Sequence, residues 1–105
     1  MLHYKVSGEG PVCVFLHGFL ESISMWEYLP LEELNCRKIL IDLPGHGKSK
    51  NNIKGKPSID FIADEVISIL DKEGIDEFHI IGHSMGGYVA LSIKEKKSGC
   101  RKVIL

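Results

Sequence analysis

The chain predicts an α/β fold, a mostly parallel sheet with helices on both faces. Three observations carry that expectation. Strand-like apolar runs alternate with helix-like amphipathic runs along the chain, two of the helical runs stop at a glycine (Gly74 and Gly99), and no repeat or low-complexity segment breaks the order.

In chain order, Leu2 to Val6 alternates as a strand does, and Val12 to Leu16 is a short apolar strand in which Cys13 reads as a small buried hydrophobe. Ser24 to Leu34 reads as the first helix, with Trp26 as a packed aromatic, and Arg37 to Asp42 as the third strand. Leu43 to Pro57 is the longest connection, rich in Gly, Lys and Asn. The clearest helix spans Ser58 to Glu73: Ser58 is its N-cap, Ile59, Ile62, Ala63, Val66 and Leu70 share one face, and Gly74 stops it. Glu77 to Ile81 is a strand, Met85 to Lys97 a helix and Lys102 to Leu105 a last strand. Lys94, Lys96 and Lys97 cluster where cations complement a helix C-terminus.

Between the fourth strand and the third helix lies Gly82-His83-Ser84-Met85-Gly86. A serine at so sharp a corner needs neighbours without a Cβ, because residues two before and two after it pass close to the adjacent strand and helix; Gly82 and Gly86 meet that need. Ser84 would then hold its hydroxyl above the sheet, at the positive end of a helix, with the Met85 amide aimed where an oxyanion forms. A second element supports the first. The strand Val12 to Leu16 runs into His17-Gly18-Phe19-Leu20, where Gly18 lets the loop fold over the strand end and present the Phe19 amide as a second donor.

Together with Asp42-Leu43-Pro44-Gly45-His46-Gly47-Lys48-Ser49, these segments resemble the N-terminal part of an α/β-hydrolase, and the resemblance runs through the whole chain. It implies one domain, of which residues 1–105 are the N-terminal part, ending after the strand that follows the nucleophile helix. It implies a serine hydrolase of the esterase, thioesterase or carbon-carbon bond-cleaving kind, acting on a small acyl substrate through an acyl-enzyme. In that scheme Ser84 is catalytic, the amides of Phe19 and Met85 form the oxyanion hole, and His17, Gly18, Gly82 and Gly86 shape the loop and elbow. Ser84 stands where dehalogenase-like and epoxide-hydrolase-like members carry an aspartate. The family order is serine, acid, histidine, yet none of the residues after Ser84 is Asp or His, and Glu95, the acid among them, lies within a helix. The five histidines precede the serine, and His3, His17, His46, His79 and His83 read as packed or loop-shaping groups. The chain alone is therefore expected to be close to inactive; the alternative is a non-catalytic truncated relative or a binding module.

Composition excludes other classes. A net charge of −1 gives no electrostatic case for nucleic acid or a membrane surface, and no apolar run approaches the ~18 residues of a transmembrane helix. No signal-like segment precedes the first strand, so the expected compartment is the cytoplasm. Three widely spaced cysteines suggest neither a disulfide framework nor a metal site, and no cofactor is expected. Gly47-Lys48-Ser49 imitates the end of a phosphate-binding loop, but Asp42 stands where its first glycine belongs and Lys50 to Pro57 is polar rather than helical. The last strand, apolar at Val103-Ile104-Leu105, is expected at a sheet edge, pairing with a second copy or with a C-terminal half.

Overall fold

The computed structural model describes residues 2–49 and 57–105. Five strands, β1 (Tyr4–Ser7), β2 (Val12–Leu16), β3 (Arg37–Ile41), β4 (Phe78–Gly82) and β5 (Cys100–Ile104), form one sheet in the order β1-β3-β2-β4-β5. Only β1 among them runs antiparallel to its neighbour. The register sets Val14 opposite Ile39 and Ile80, and Leu16 opposite Ile41 and Gly82. Because side chains alternate along a strand, that register gathers Val14, Leu16, Ile39, Ile41, Phe78 and Ile80 on one face.

Two helices cover that face, α1 (Ile59–Lys72) and α2 (Met85–Lys96). α1 starts where Ser58 Oγ accepts the Phe61 amide at 3.0 Å, and it buries Ile62, Ala63, Val66, Ile69 and Leu70. Each of the larger side chains, Ile62, Val66, Ile69 and Leu70, contributes about 1.5–3 kcal/mol by leaving water, so this stripe rather than helix propensity fixes α1 on the sheet. Between the helices, Lys96 Nζ lies 2.9 Å from Asp64 Oδ1 and Lys97 Nζ 2.8 Å from Asp71 Oδ1. The basic cluster therefore ties α2 to α1.

The opposite face is covered differently. The single helix expected over Ser24 to Leu34 is two 3₁₀ segments, Ile23–Tyr28 and Leu31–Glu33. Pro30 breaks them apart: its ring disfavours a helical Leu29, which is extended at φ −111° and ψ 145°. The first segment packs its buried Trp26 against Phe15, ring centroids 5.1 Å apart with planes at 69°. Element ends differ from expectation by at most two residues, most at β1, which starts at Tyr4 rather than Leu2, and at β5, which starts at Cys100 rather than Lys102. In the connection after β3, Gly47–Ser49 forms a 3₁₀ turn; residues 50–56, on which the expected polar run falls, lie outside the described residues.

The order of strands positions everything that follows. From β2 the chain moves to β3 on one side, then returns to place β4 on the other. The loops leaving β2 and β4 consequently diverge and open a crevice at the carboxyl end of the sheet.

Candidate active site

Ser84 lies in that crevice. It stands between β4 and the first residue of α2, with φ +55° and ψ −116°, and it is exposed. A left-handed backbone costs a residue other than glycine about 1–3 kcal/mol and persists only where its surroundings over-determine it. Here the His83 amide donates to Leu16 O at 3.0 Å, the Gly86 amide to His83 O at 2.9 Å and the Gly87 amide to Ser84 O at 2.9 Å. The glycines permit the corner sterically. A Cβ on Gly82 would sit 2.5 Å from Gly86 O, and one on Gly86 would collide with Leu16 O and lie 2.7 Å from His17 O.

The loop after β2 is built from a buried imidazole. His17 has no exposed surface; its Nε2 accepts the Leu43 amide at 3.0 Å, so Nδ1 carries the proton and donates to Gly18 O at 2.7 Å. Burial, the largest influence, pushes the His17 pKa down, in keeping with a neutral ring whose two nitrogens are both engaged. Gly18 O also accepts the Glu21 amide at 3.2 Å. With no cis peptide in the described residues, the Gly18–Phe19 amide plane points its N–H away from its clamped carbonyl. Gly18 touches the elbow, since a Cβ there would lie 3.0 Å from Ser84 Cβ. Neither the Phe19 nor the Met85 amide donates to a protein acceptor among the described residues.

The third segment braces the first two. Buried Asp42 accepts the Ile23 amide on Oδ1 at 2.8 Å and the Lys48 amide on Oδ2 at 3.0 Å, so Lys48 serves the loop through its backbone. His46 donates from Nδ1 to Pro44 O at 3.0 Å, and its ring lies 5.2 Å from that of His17 and 5.7 Å from that of Phe19. A cavity of about 650 Å³ opens beside these rings, walled by Phe19, Leu20, His46, Ile59, Ile62 and Met85 among others. That volume suits a small organic ligand, and Met85 adjoins Ser84 in sequence.

Among the described residues no histidine hydrogen-bonds Ser84: His83 Nε2 lies 3.5 Å from Glu21 Oε1, His79 is held within β4, and the His3 amide donates to Ser49 Oγ. Burial, then a hydrogen bond with Cys36, pushes the Cys13 thiol up to about 11, which makes it a poor nucleophile at neutral pH. Among the described residues no group of three or more His, Cys, Asp and Glu is arranged to hold a metal ion, and no helix is long and apolar enough to cross a membrane. Glu21 is a participant that the sequence motifs did not single out. Its signal was an acid three residues after Gly18, close enough in the chain to reach back to that amide.

A sheet whose strand order reverses beside a left-handed serine at a strand-turn-helix corner and a clamped His-Gly loop defines an α/β protein with a crevice at the carboxyl end of its sheet. The chain belongs to the alpha/beta hydrolase fold family, whose family model matches residues 11–105. It is 35% identical over 92 residues to a dihydrolipoyllysine-residue acetyltransferase component of an acetoin cleaving system from Pseudomonas putida, covering 86% of this chain and 25% of that protein. It is likewise 35% identical over 97 residues to 2-hydroxy-6-oxononadienedioate/2-hydroxy-6-oxononatrienedioate hydrolase 1 of the same species, covering 87% and 34%. A thermophilic esterase from Thermogutta terrifontis superposes with a TM-score of 0.82 at 33% identity, covering 90% of this chain and 35% of that one. The chain thus spans about a quarter to a third of the length of these relatives.

Proposed function

We propose that this chain carries the nucleophile and oxyanion loop of a serine hydrolase that acts on small acyl esters or related carbonyl substrates. The observation that supports this best is the left-handed Ser84 packed against Gly18, with the Phe19 and Met85 amides unengaged. In the reaction Ser84 Oγ attacks the substrate carbonyl while its proton passes to a base. The carbonyl oxygen becomes the oxyanion, held by those two amides and by the positive end of α2. Collapse expels the alcohol and leaves an acyl-serine, which water then hydrolyses. The cavity walled by Phe19, Ile62 and Met85 accepts the apolar part of the substrate.

By the order in the family, the base and its acid follow the serine and are residues that this chain does not contain. Loss of the histidine from an unrelated serine hydrolase costs about 10⁶-fold in turnover, so these 105 residues alone are expected to be nearly inert. The same observation favours a second reading, a hydrolase-like binding module without turnover. A fluorophosphonate probe separates them, applied to the chain alone and to the chain supplied with a C-terminal half. The hydrolase reading expects strong labelling in the second case, lost in Ser84→Ala. No labelling with the half supplied would favour the binding module, and labelling that survives Ser84→Ala would place the reactive group elsewhere than Ser84.

A further inference from the structure

We propose that Glu21 is a positioning residue that joins the two halves of the oxyanion site, an inference that rests on the reading of Phe19 and Met85 as its donors. The Glu21 carboxylate accepts the Gly18 amide through Oε1 at 2.9 Å, and the same oxygen lies 3.5 Å from His83 Nε2. Gly18 precedes Phe19 on one loop; His83 precedes Ser84 on the other. One oxygen therefore touches the residue before Phe19 on one loop and the residue before Ser84 on the other.

The need for such a brace is visible in the backbone. Leu20 is left-handed at φ +63° and 81% exposed, so little packing holds its conformation. A strained loop of this kind relaxes unless bonds around it forbid the change. Glu21 supplies two of them, its own amide to Gly18 O at 3.2 Å and its carboxylate to the Gly18 amide. His17 Nδ1 supplies a third at Gly18 O. The bonds to the Gly18 C=O set the plane of the Gly18–Phe19 peptide and the direction of the Phe19 N–H, and the carboxylate bond to the Gly18 N–H fixes the preceding peptide, so that the turn between the two planes is held at Gly18. His17 does this from the buried side. Glu21, with a third of its side chain exposed, does it from the solvent side and adds the contact to the elbow.

The chemistry asked of Glu21 is that of an acceptor, so Glu21→Gln should retain the Gly18 bond and Glu21→Ala should lose it. Amide hydrogen exchange by NMR reads this directly, with Ile80 and Ile81 in β4 reporting that the fold is kept. Expected in Glu21→Ala are exchange of the Gly18 amide faster by about tenfold or more, the free-energy equivalent of one net hydrogen bond, and displaced Phe19 amide and His83 ring resonances. In Glu21→Gln the Gly18 exchange rate should stay within about threefold of the parent. Unchanged Gly18 and Phe19 signals in Glu21→Ala would overturn the proposal. If Glu21→Ala does not fold, Glu21→Gln decides: parent-like Gly18 protection supports the brace, and lost protection rejects it. Labelling of Ser84 by a fluorophosphonate, with the C-terminal half supplied, forms the second readout. Glu21→Ala should slow it by about ten- to a hundredfold and Glu21→Gln should restore it, because the donor is misdirected rather than removed. A parent that does not label refutes the nucleophile reading alone, since the exchange data stand without it.

Discussion

A methyl group added at either of two glycines should destabilise this chain, for different reasons. In Gly86→Ala the new Cβ meets backbone, the carbonyls of Leu16 and His17, which cannot move without shifting β2. Overpacking of this kind costs about 1–3 kcal/mol or more, and the elbow should open with it. Gly74→Ala meets nothing within 4 Å, but Gly74 has φ +68°, so the expected cost is the backbone strain alone, about 1–2 kcal/mol. Chemical denaturation of both variants checks the order, and equal costs with an unchanged Ser84 environment would contradict it. His17 gives a pH dependence. Its pKa is lowered in the fold from 6.5, so the unfolded chain binds the proton more readily, and stability falls as pH drops below about 6.5 toward the folded value. Melting followed across that range should show this slope reduced in His17→Asn. The setting of Ser84 is readable in the sequence because the sharp strand-to-helix corner needs glycines, Gly82 and Gly86, at fixed offsets from the serine. The role of Glu21 is only half readable: its reach back to the Gly18 amide is local, but its contact with His83 exists only once two loops distant in the chain are brought together.

At the scale of elements, α1 is the part most fully written in the sequence, since its cap, apolar stripe and stop are all local signals. Ser58→Ala removes the acceptor of the Phe61 amide, and a loss of about 1 kcal/mol is expected by denaturation; no loss would mean that the α1 stripe alone sets its start. The region Ile23 to Glu33 was written less clearly. Its apolar spacing suits a helix, but Pro30 and an extended Leu29 split it, and Asp42 anchors its start by accepting the Ile23 amide from a loop nineteen residues away. Periodicity carries no information about that long-range bond. The turn at Gly47–Ser49 separates the two uses of the Gly-Lys-Ser run. Lys48 contributes its backbone amide to Asp42, so Lys48→Ala should leave ester hydrolysis within about twofold in an assembly with the C-terminal half, whereas Ser84→Ala should abolish it. The reverse result would revive the phosphate-loop reading.

Over the whole molecule, what most distinguishes the two faces of the sheet is how completely each is covered. α1 and α2 seal the face of Val14, Ile39 and Ile80, which have no exposed surface, whereas Cys13, Leu40, His79 and Ile81 on the other face are only half-buried beside the Trp26 segment. Strand order is the level at which sequence said least, because alternation fixes which residues face inward but not which strands are neighbours. The placement of β5 follows from the fold: it pairs with β4 alone among the described strands and leaves its other side free, with Ile104 52% exposed and Leu105 74% exposed. β1, the opposite edge, carries Lys5, a residue that discourages strand addition; β5 carries Arg101 and Lys102 in its first half but ends in apolar side chains. Arg101 is engaged with Glu77, the residue just before the neighbouring strand β4, so its charge does little to guard that edge. A chain of these 105 residues should therefore associate through β5, strand against strand with a second copy, and bury Ile104 in doing so. Sedimentation velocity over a range of concentrations measures this: dimers or larger species should appear as concentration rises and recede in Ile104→Lys, which puts a charge on an exposed edge position at little cost to the fold. A folded monomer at every concentration would show that the free side of β5 is no template for pairing.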